Sequence, residues 1–185
     1  MPKLVLIDGS SYLYRAFHAL PPLTASDGTP TGALFGIVNM LKSSLKENAE
    51  YIAFVLDAPG PTFRDALYPD YKANRPPLPE DLRPQFPLTR DATRAFNVAC
   101  IEMAGYEADD IIATLAKRAS EAGGTVTILS SDKDLMQLIG SGVDMHDPMK
   151  NKRLGLDEVM EKFGVAPDRV VDVQSLAGDS VDNVP

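Results

Sequence analysis

Seven carboxylates stand at four short stations along this chain: Asp8, then Asp57, then Glu107 with Asp109 and Asp110, then Asp132 with Asp134. A further pair, Asp179 and Asp182, follows near the end. Carboxylates crowded into one place repel, and their pKa values rise unless cations bind. Oxygen-only ligands suit hard cations, Mg²⁺ or Mn²⁺, rather than zinc. The two histidines, His18 and His146, lie outside every acidic cluster, and the one cysteine, Cys100, cannot build a thiolate site. Nine acids exceed the needs of a single Mg²⁺. Two ions about 4 Å apart would clamp the attacking and leaving oxygens of a phosphoryl displacement, so two-metal phosphodiester hydrolysis is the chemistry these residues point to. The competing explanation is local. An Asp after a strand caps the next helix, Asp109-Asp110 suits a helix dipole, and the Asp179–Asp182 stretch is also good turn sequence.

Something must bring the stations together. Lys3–Ile7, Tyr51–Leu56, Val98–Met103 and Thr125–Leu129 are short apolar runs that read as buried strands, and each is followed by an acidic station. Between them the spacing predicts helices over Tyr12–Leu20, Thr31 to about Asn48, Leu88–Phe96 and Glu107–Ala122, with Ser10 or Ser11 as the first cap. A short helix over Asp134–Ile139, a strand over Val143–His146, a basic hairpin at Lys150–Arg153 and helices over Leu156–Phe163 and Asp168–Leu176 complete the pattern. Alternating strands and helices give an α/β fold on a mostly parallel sheet, whose ligands bind beyond the carboxyl ends of the strands.

The stretch Pro59–Pro87 differs, with eight prolines interleaved with Arg64, Lys72, Arg75 and Arg83. Such proline density forbids a central strand or one long helix, so it is expected to form an excursion outside the sheet. Phe63-Arg64 and Tyr71-Lys72-x-x-Arg75 set aromatics beside cations, which suits unpaired bases and phosphates.

The whole chain is acidic, 18 bases against 26 acids in 185 residues. Setting the nine clustered acids aside leaves 18 bases against 17 acids, so the charge is concentrated and a phosphate-rich substrate stays admissible. No G-x-x-x-x-G-K-[ST] run and no G-x-S-x-G elbow occurs, which removes P-loop and α/β-hydrolase chemistry. No apolar run reaches membrane-spanning length, the N-terminus is no signal peptide, and a reducing, bacterial cytoplasmic setting is expected.

Six segments in order carry a resemblance: Val5–His18 (VLIDGSSYLYRAFH), Asp57–Arg64 (DAPGPTFR), Tyr71–Pro77 (YKANRPP), Tyr106–Asp110 (YEADD), Ser131–Asp134 (SDKD) and Gly178–Asn183 (GDSVDN). Together they resemble the 5′–3′ exonuclease domains of the flap endonuclease family found at the N-terminus of bacterial DNA polymerases I, over essentially the whole chain. The resemblance implies a PIN-like, Rossmann-like α/β fold that cuts 5′ flaps and removes RNA primers in replication and repair, using two Mg²⁺ or Mn²⁺ ions. It implies a first metal cluster of Asp8, Asp57, Glu107, Asp109 and Asp110, and a second of Asp132, Asp134, Asp179 and Asp182. Lys72 would reach the scissile phosphate with Arg75 as its helper, and Tyr71 would stack on the terminal base. Phe63, Arg64 and Arg83 would contact DNA, and about residues 60–94 would form a helical arch. The expected partners are DNA with a 5′ flap or 5′ end, RNA–DNA primer junctions and a polymerase portion of the same polypeptide, with no membrane and a monomeric state. The family's helix–hairpin–helix grip on duplex DNA would follow Pro185. Two other functions stay open at this point: a metal- and DNA-binding remnant with little turnover, and a PIN-type ribonuclease.

Overall fold

Six strands make one sheet: β1 (Lys3–Asp8), β2 (Tyr51–Val55), β3 (Ala99–Ile101), β4 (Thr125–Leu129), β5 (Val143–Asp147) and β6 (Lys152–Leu154). Their order across the computed structural model, which describes residues 1–140 and 142–185, is β3-β2-β1-β4-β5-β6. The first five strands run parallel and β6 closes the edge antiparallel to β5. Seven helices accompany them among the described residues: α1 (Gly9–Ala19), α2 (Gly32–Ser44), α3 (Phe63–Leu67), α4 (Gln85–Ala95), α5 (Ala108–Glu121), α6 (Leu156–Phe163) and α7 (Val170–Ala177).

The central strands are apolar on both faces because both faces are covered. Leu6, Val55, Val126 and Ile128 join Ile112 and Ala116 of α5 in one core. Val5, Ile7 and Phe54 join Leu13 of α1 and Ile37 and Leu41 of α2 in the other. The two-residue period of β1 thus assigns alternate side chains to opposite cores. Gly9 is required at the start of α1, since a Cβ there would stand 2.2 Å from the buried Phe54 ring. The chain leaves β1 to build one half of the sheet and returns with β4 on its other side. That reversal opens a crevice at the carboxyl ends of β1 and β4.

The local differences from expectation have physical causes. Asp8, not Ser10 or Ser11, caps α1, its Oδ1 accepting from the Ser11 amide at 3.0 Å. The proline-rich stretch lies outside the sheet but is not uniformly an excursion. It contains α3, capped by Asp65 Oδ2 accepting from the Thr62 amide at 2.7 Å. It also contains the start of α4, because Pro87 falls in a first turn, where a missing N–H costs nothing. Gln85, Thr89 and Thr93 of α4 are buried, and Gln85 Oε1 accepts from the Leu34 amide of α2 at 3.0 Å. The second part of the stretch therefore belongs to the body of the domain.

Candidate active site

The ends of three neighbouring strands and the start of α5 are tied to one another by short hydrogen bonds. Asp8 ends β1, and its Oδ2 accepts from Ser130 Oγ beyond β4 at 2.7 Å. Ser130 Oγ in turn accepts from the Asp132 amide at 3.0 Å, and Asp132 Oδ1 accepts from the Asp134 amide at 3.0 Å. Asp57, two residues past β2, donates its amide to Ser10 Oγ at 2.8 Å, while its Oδ1 accepts from the Ala108 amide, the first of α5, at 2.7 Å. The acids thus have the capping roles that sequence allows them, and those roles place them at one rim. Asp8, Asp57, Glu107, Asp109, Asp132, Asp134 and Asp182 line one cavity of about 300 Å³ with Lys72 and Arg75. A second cavity of about 420 Å³ shares Glu107, Asp109, Asp134 and Asp182 and adds Arg64, Tyr71, Asp110 and Asp179. All nine acids therefore face two adjoining cavities. Of the aromatic and basic candidates, Lys72, Arg75, Tyr71 and Arg64 join them. Phe63 is exposed beside them, and Arg83 is exposed and lines neither cavity.

Protein cations hold several of these carboxylates. Lys72 Nζ donates to Glu107 Oε1 at 2.7 Å and stands 3.8 Å from Asp182 Oδ2. Arg75 donates to Asp182, and the Tyr71 hydroxyl donates to Glu107 Oε2 at 3.0 Å. Lys133 pairs with Asp179 at 2.7 Å, and Gln174 donates to Asp134. The turn carrying Lys72 is itself laced to the Asp179–Asp182 turn. The Lys72 amide donates to the Asp182 carbonyl at 2.9 Å, and Asn183 Nδ2 donates to the Asp70 carbonyl at 2.7 Å. Lys72 adopts φ +57°, a left-handed conformation that costs a non-glycine residue about 1–2 kcal/mol and here is held by those bonds. Among the described residues no group of three His, Cys, Asp or Glu side chains stands in an arrangement that could share one ion. The donor set is nonetheless all oxygen, and its least compensated members are central.

Burial pushes the Asp109 carboxyl up to about 8, with repulsion from Asp8, Asp132 and Asp57 adding to it. Burial likewise raises Asp8 to about 6 against the hydrogen bonds from Ser130 and Ser11, and it raises Asp134 as well. Such uncompensated negative charge fits a divalent cation. It also fixes a pH dependence. An acid whose pKa is higher folded than unfolded binds protons preferentially in the native state, so stability falls as pH rises through the folded value. In chelator, the melting temperature is expected to be higher at pH 5.5 than at pH 8.5, most of the loss coming between about 6 and 8. Asp110 and Asp179, held down by Arg64 and Lys133, act in the opposite sense only below about pH 4. A melting temperature that is flat or rising from pH 5.5 to 8.5 would contradict the assignment.

Sequence reasoning missed Ser10, Ser130, Lys133 and Gln174, which orient Asp57, Asp8, Asp179 and Asp134. The two serines adjoin acidic stations, which was the available signal. Gln174 carried none.

Residues 3–164 match the sequence profile of the 5′–3′ exonuclease N-terminal resolvase-like domain. This chain belongs to that family. The chain is 53% identical to DNA polymerase I of Rhizobium leguminosarum, over 98% of its own length and 19% of the relative. It is 44% identical to the 5′–3′ exonuclease of Aquifex aeolicus, over 100% of the chain and 64% of the relative. It thus spans about a fifth of the polymerase and under two thirds of the exonuclease. Among solved structures, the bacteriophage T5 5′-exonuclease with zinc ions bound superposes with a TM-score of 0.80 at 22% identity, covering 99% of this chain and 69% of that one. The DNA-bound catalytic core of Rad2 and human GEN1 share the fold at TM-scores of 0.58 and 0.51. These likenesses correct the PIN-like class expected from sequence: the chain has the mixed α/β fold seen in the T5 exonuclease, Rad2 and GEN1 structures. An acidic rim on a parallel sheet does not separate the two classes, whereas superposition over nearly the whole of this chain does.

Proposed function

We propose that the chain is the catalytic domain of a divalent-metal-dependent 5′–3′ exonuclease and 5′-flap endonuclease that hydrolyses DNA, and RNA primers on DNA, in replication and repair. The observation that carries this is the single cavity in which seven acids from separate stations face Lys72 and Arg75. The side chains would have to draw closer than they stand here for Asp8, Asp57, Glu107 and Asp109 to hold one ion and Asp132, Asp134, Asp179 and Asp182 a second, with Mg²⁺ or Mn²⁺ favoured by the all-oxygen donor set. Divalent cations bound there would supply Lewis acidity toward the phosphodiester. The protein's own residues do the rest. Lys72 and Arg75, paired here with Glu107 and Asp182, would turn to an incoming phosphate. Tyr71, whose ring carries Lys72 Nζ at 4.8 Å from its centroid, offers a face to an unpaired base. Phe63 and Arg64 would extend that surface, Arg83 lying outside both cavities, and the arch expected over about residues 60–94 is narrowed to 68–84, since α4 is packed into the body. A polymerase portion of the same polypeptide is the expected neighbour, with the protein acting as a monomer in the bacterial cytoplasm. Among the described residues no helix is long and apolar enough to cross a membrane.

Cleavage of a labelled 5′-flap duplex, beside a single-stranded RNA of equal length, tests this directly. Cutting near the flap junction with Mg²⁺ or Mn²⁺ is the expected result. No flap cleavage with either cation, or faster cutting of the RNA, would overturn it.

A further inference from the structure

Asp109 and Asp110 are adjacent, yet their surroundings differ in kind. Asp109 shares the smaller cavity with Asp8, Asp57 and Asp132, whereas Asp110 does not line it. Both oxygens of Asp110 are already taken. Oδ1 accepts from Arg64 Nη2 at 2.8 Å, and Oδ2 accepts from Arg64 Nη1 at 2.7 Å and from the Glu107 amide at 3.0 Å. A bidentate guanidinium–carboxylate pair is the most directional ion pair available to a protein. Arg64 also lies 4.5 Å over its own Phe63 ring. Phe63 packs on Tyr106 at 5.8 Å between centroids, and its amide donates to the Gly105 carbonyl at 3.0 Å. Helix α3 is thus fastened to the approach of α5 at three points.

We infer that Arg64 and Asp110 form a clasp that positions the Lys72-bearing turn over the acidic cavity, and that Asp110 is a positioning residue rather than a metal ligand. α3 has five residues and no buried side chain, so neither helix length nor a core could place it. Lys72 follows α3 by five residues, and its ammonium reaches Glu107, the residue whose amide Asp110 holds. One carboxylate therefore fixes the start of α5 and, through Arg64, the element that leads to Lys72. The clasp rests on the nuclease reading above for its catalytic meaning, but not for its geometry.

The test compares Asp110→Asn and Arg64→Gln with Asp109→Asn in the same chain. Mn²⁺ titration counts the ions bound, and single-turnover cleavage of the flap duplex is followed against Mn²⁺ concentration. Asp110→Asn is expected to bind as many ions as the unmodified protein and to keep its half-saturating Mn²⁺ within about threefold, while its maximal rate falls at least about tenfold. Arg64→Gln should match it, and the double replacement should fall little further, as for two residues that act as one unit. Asp109→Asn should instead lose an ion or raise the half-saturating concentration. If Asp110→Asn loses an ion, or raises the half-saturating Mn²⁺ about tenfold with an unchanged maximal rate, Asp110 is a ligand and the clasp is wrong. If the unmodified protein binds no Mn²⁺ and cuts no flap, the nuclease reading fails by itself. The clasp is then decided by amide hydrogen exchange in α3. Non-additive loss of protection in the double replacement supports it, and additive loss overturns it.

Discussion

Replacing Asp109 by asparagine is expected to stabilise the protein in chelator at pH 8 and to remove the part of its stabilisation by millimolar Mg²⁺ or Mn²⁺ that the ion held by Asp109 supplies. The two effects have one cause. Asp109 is held among Asp8, Asp57 and Asp132 in a buried position that pushes its carboxyl to about 8, so at that pH the folded protein is disfavoured relative to an unfolded chain in which the same group ionises freely. Asparagine has nearly the same shape and no charge to desolvate. A cation, however, binds the charge that asparagine lacks. For one ion at a hundred times its dissociation constant, stabilisation is about 2.7 kcal/mol. For a chain of this length that corresponds to a rise in melting temperature of about 5–10 °C. The unmodified protein should show such a rise for each ion it binds, and Asp109→Asn should lose the rise due to one. An Asp109→Asn protein that is less stable in chelator yet keeps the full metal-induced rise would make Asp109 a structural residue.

Lys72→Ala should separate cation binding from chemistry. Its ammonium is bonded to Glu107 and close to Asp182, so it competes with any cation for those oxygens. Removing it is expected to leave the metal-induced rise in melting temperature unchanged or larger. The single-turnover cleavage rate should fall at least about tenfold, or about 1.4 kcal/mol of transition-state stabilisation. Asp57→Asn should instead weaken both, since Asp57 lines the cavity and also holds the first amide of α5. A Lys72→Ala protein that cuts at the normal rate would leave Lys72 as a residue that ties two turns together, and nothing more.

The order of strands and acidic stations was legible because apolar runs ending in an acid have few other meanings in an alternating α/β pattern. The rim follows from topology: in a parallel sheet every such strand end faces the same way. What sequence could not give is pairing across distance. Ser10 and Asp57 are separated by 47 residues, and Asp8 and Ser130 by 122, so their hydrogen bonds have no local signature. The same limit hid the difference between Asp109 and Asp110. One helical step turns them to different surroundings, and the arginine that claims Asp110 lies 46 residues earlier. The proline-rich stretch misled in part for a chemical reason. Pro84 and Pro87 mark a helix start as readily as a loop, so α4 begins at Gln85 where an excursion was expected. The PIN-like expectation failed differently, since an acidic rim is a solution that more than one fold can reach.

These carboxylates are expected to work together through bound divalent ions to cut a phosphodiester. That is tested most directly by the single-turnover rate of 5′-flap cleavage as a function of Mn²⁺ concentration, starting from chelator. No cleavage is expected in chelator, and the rate should climb at low concentration with an order approaching two before it saturates. Asp132→Asn should abolish that climb. A rate independent of the metal, or one that Asp132→Asn leaves unchanged, would contradict it.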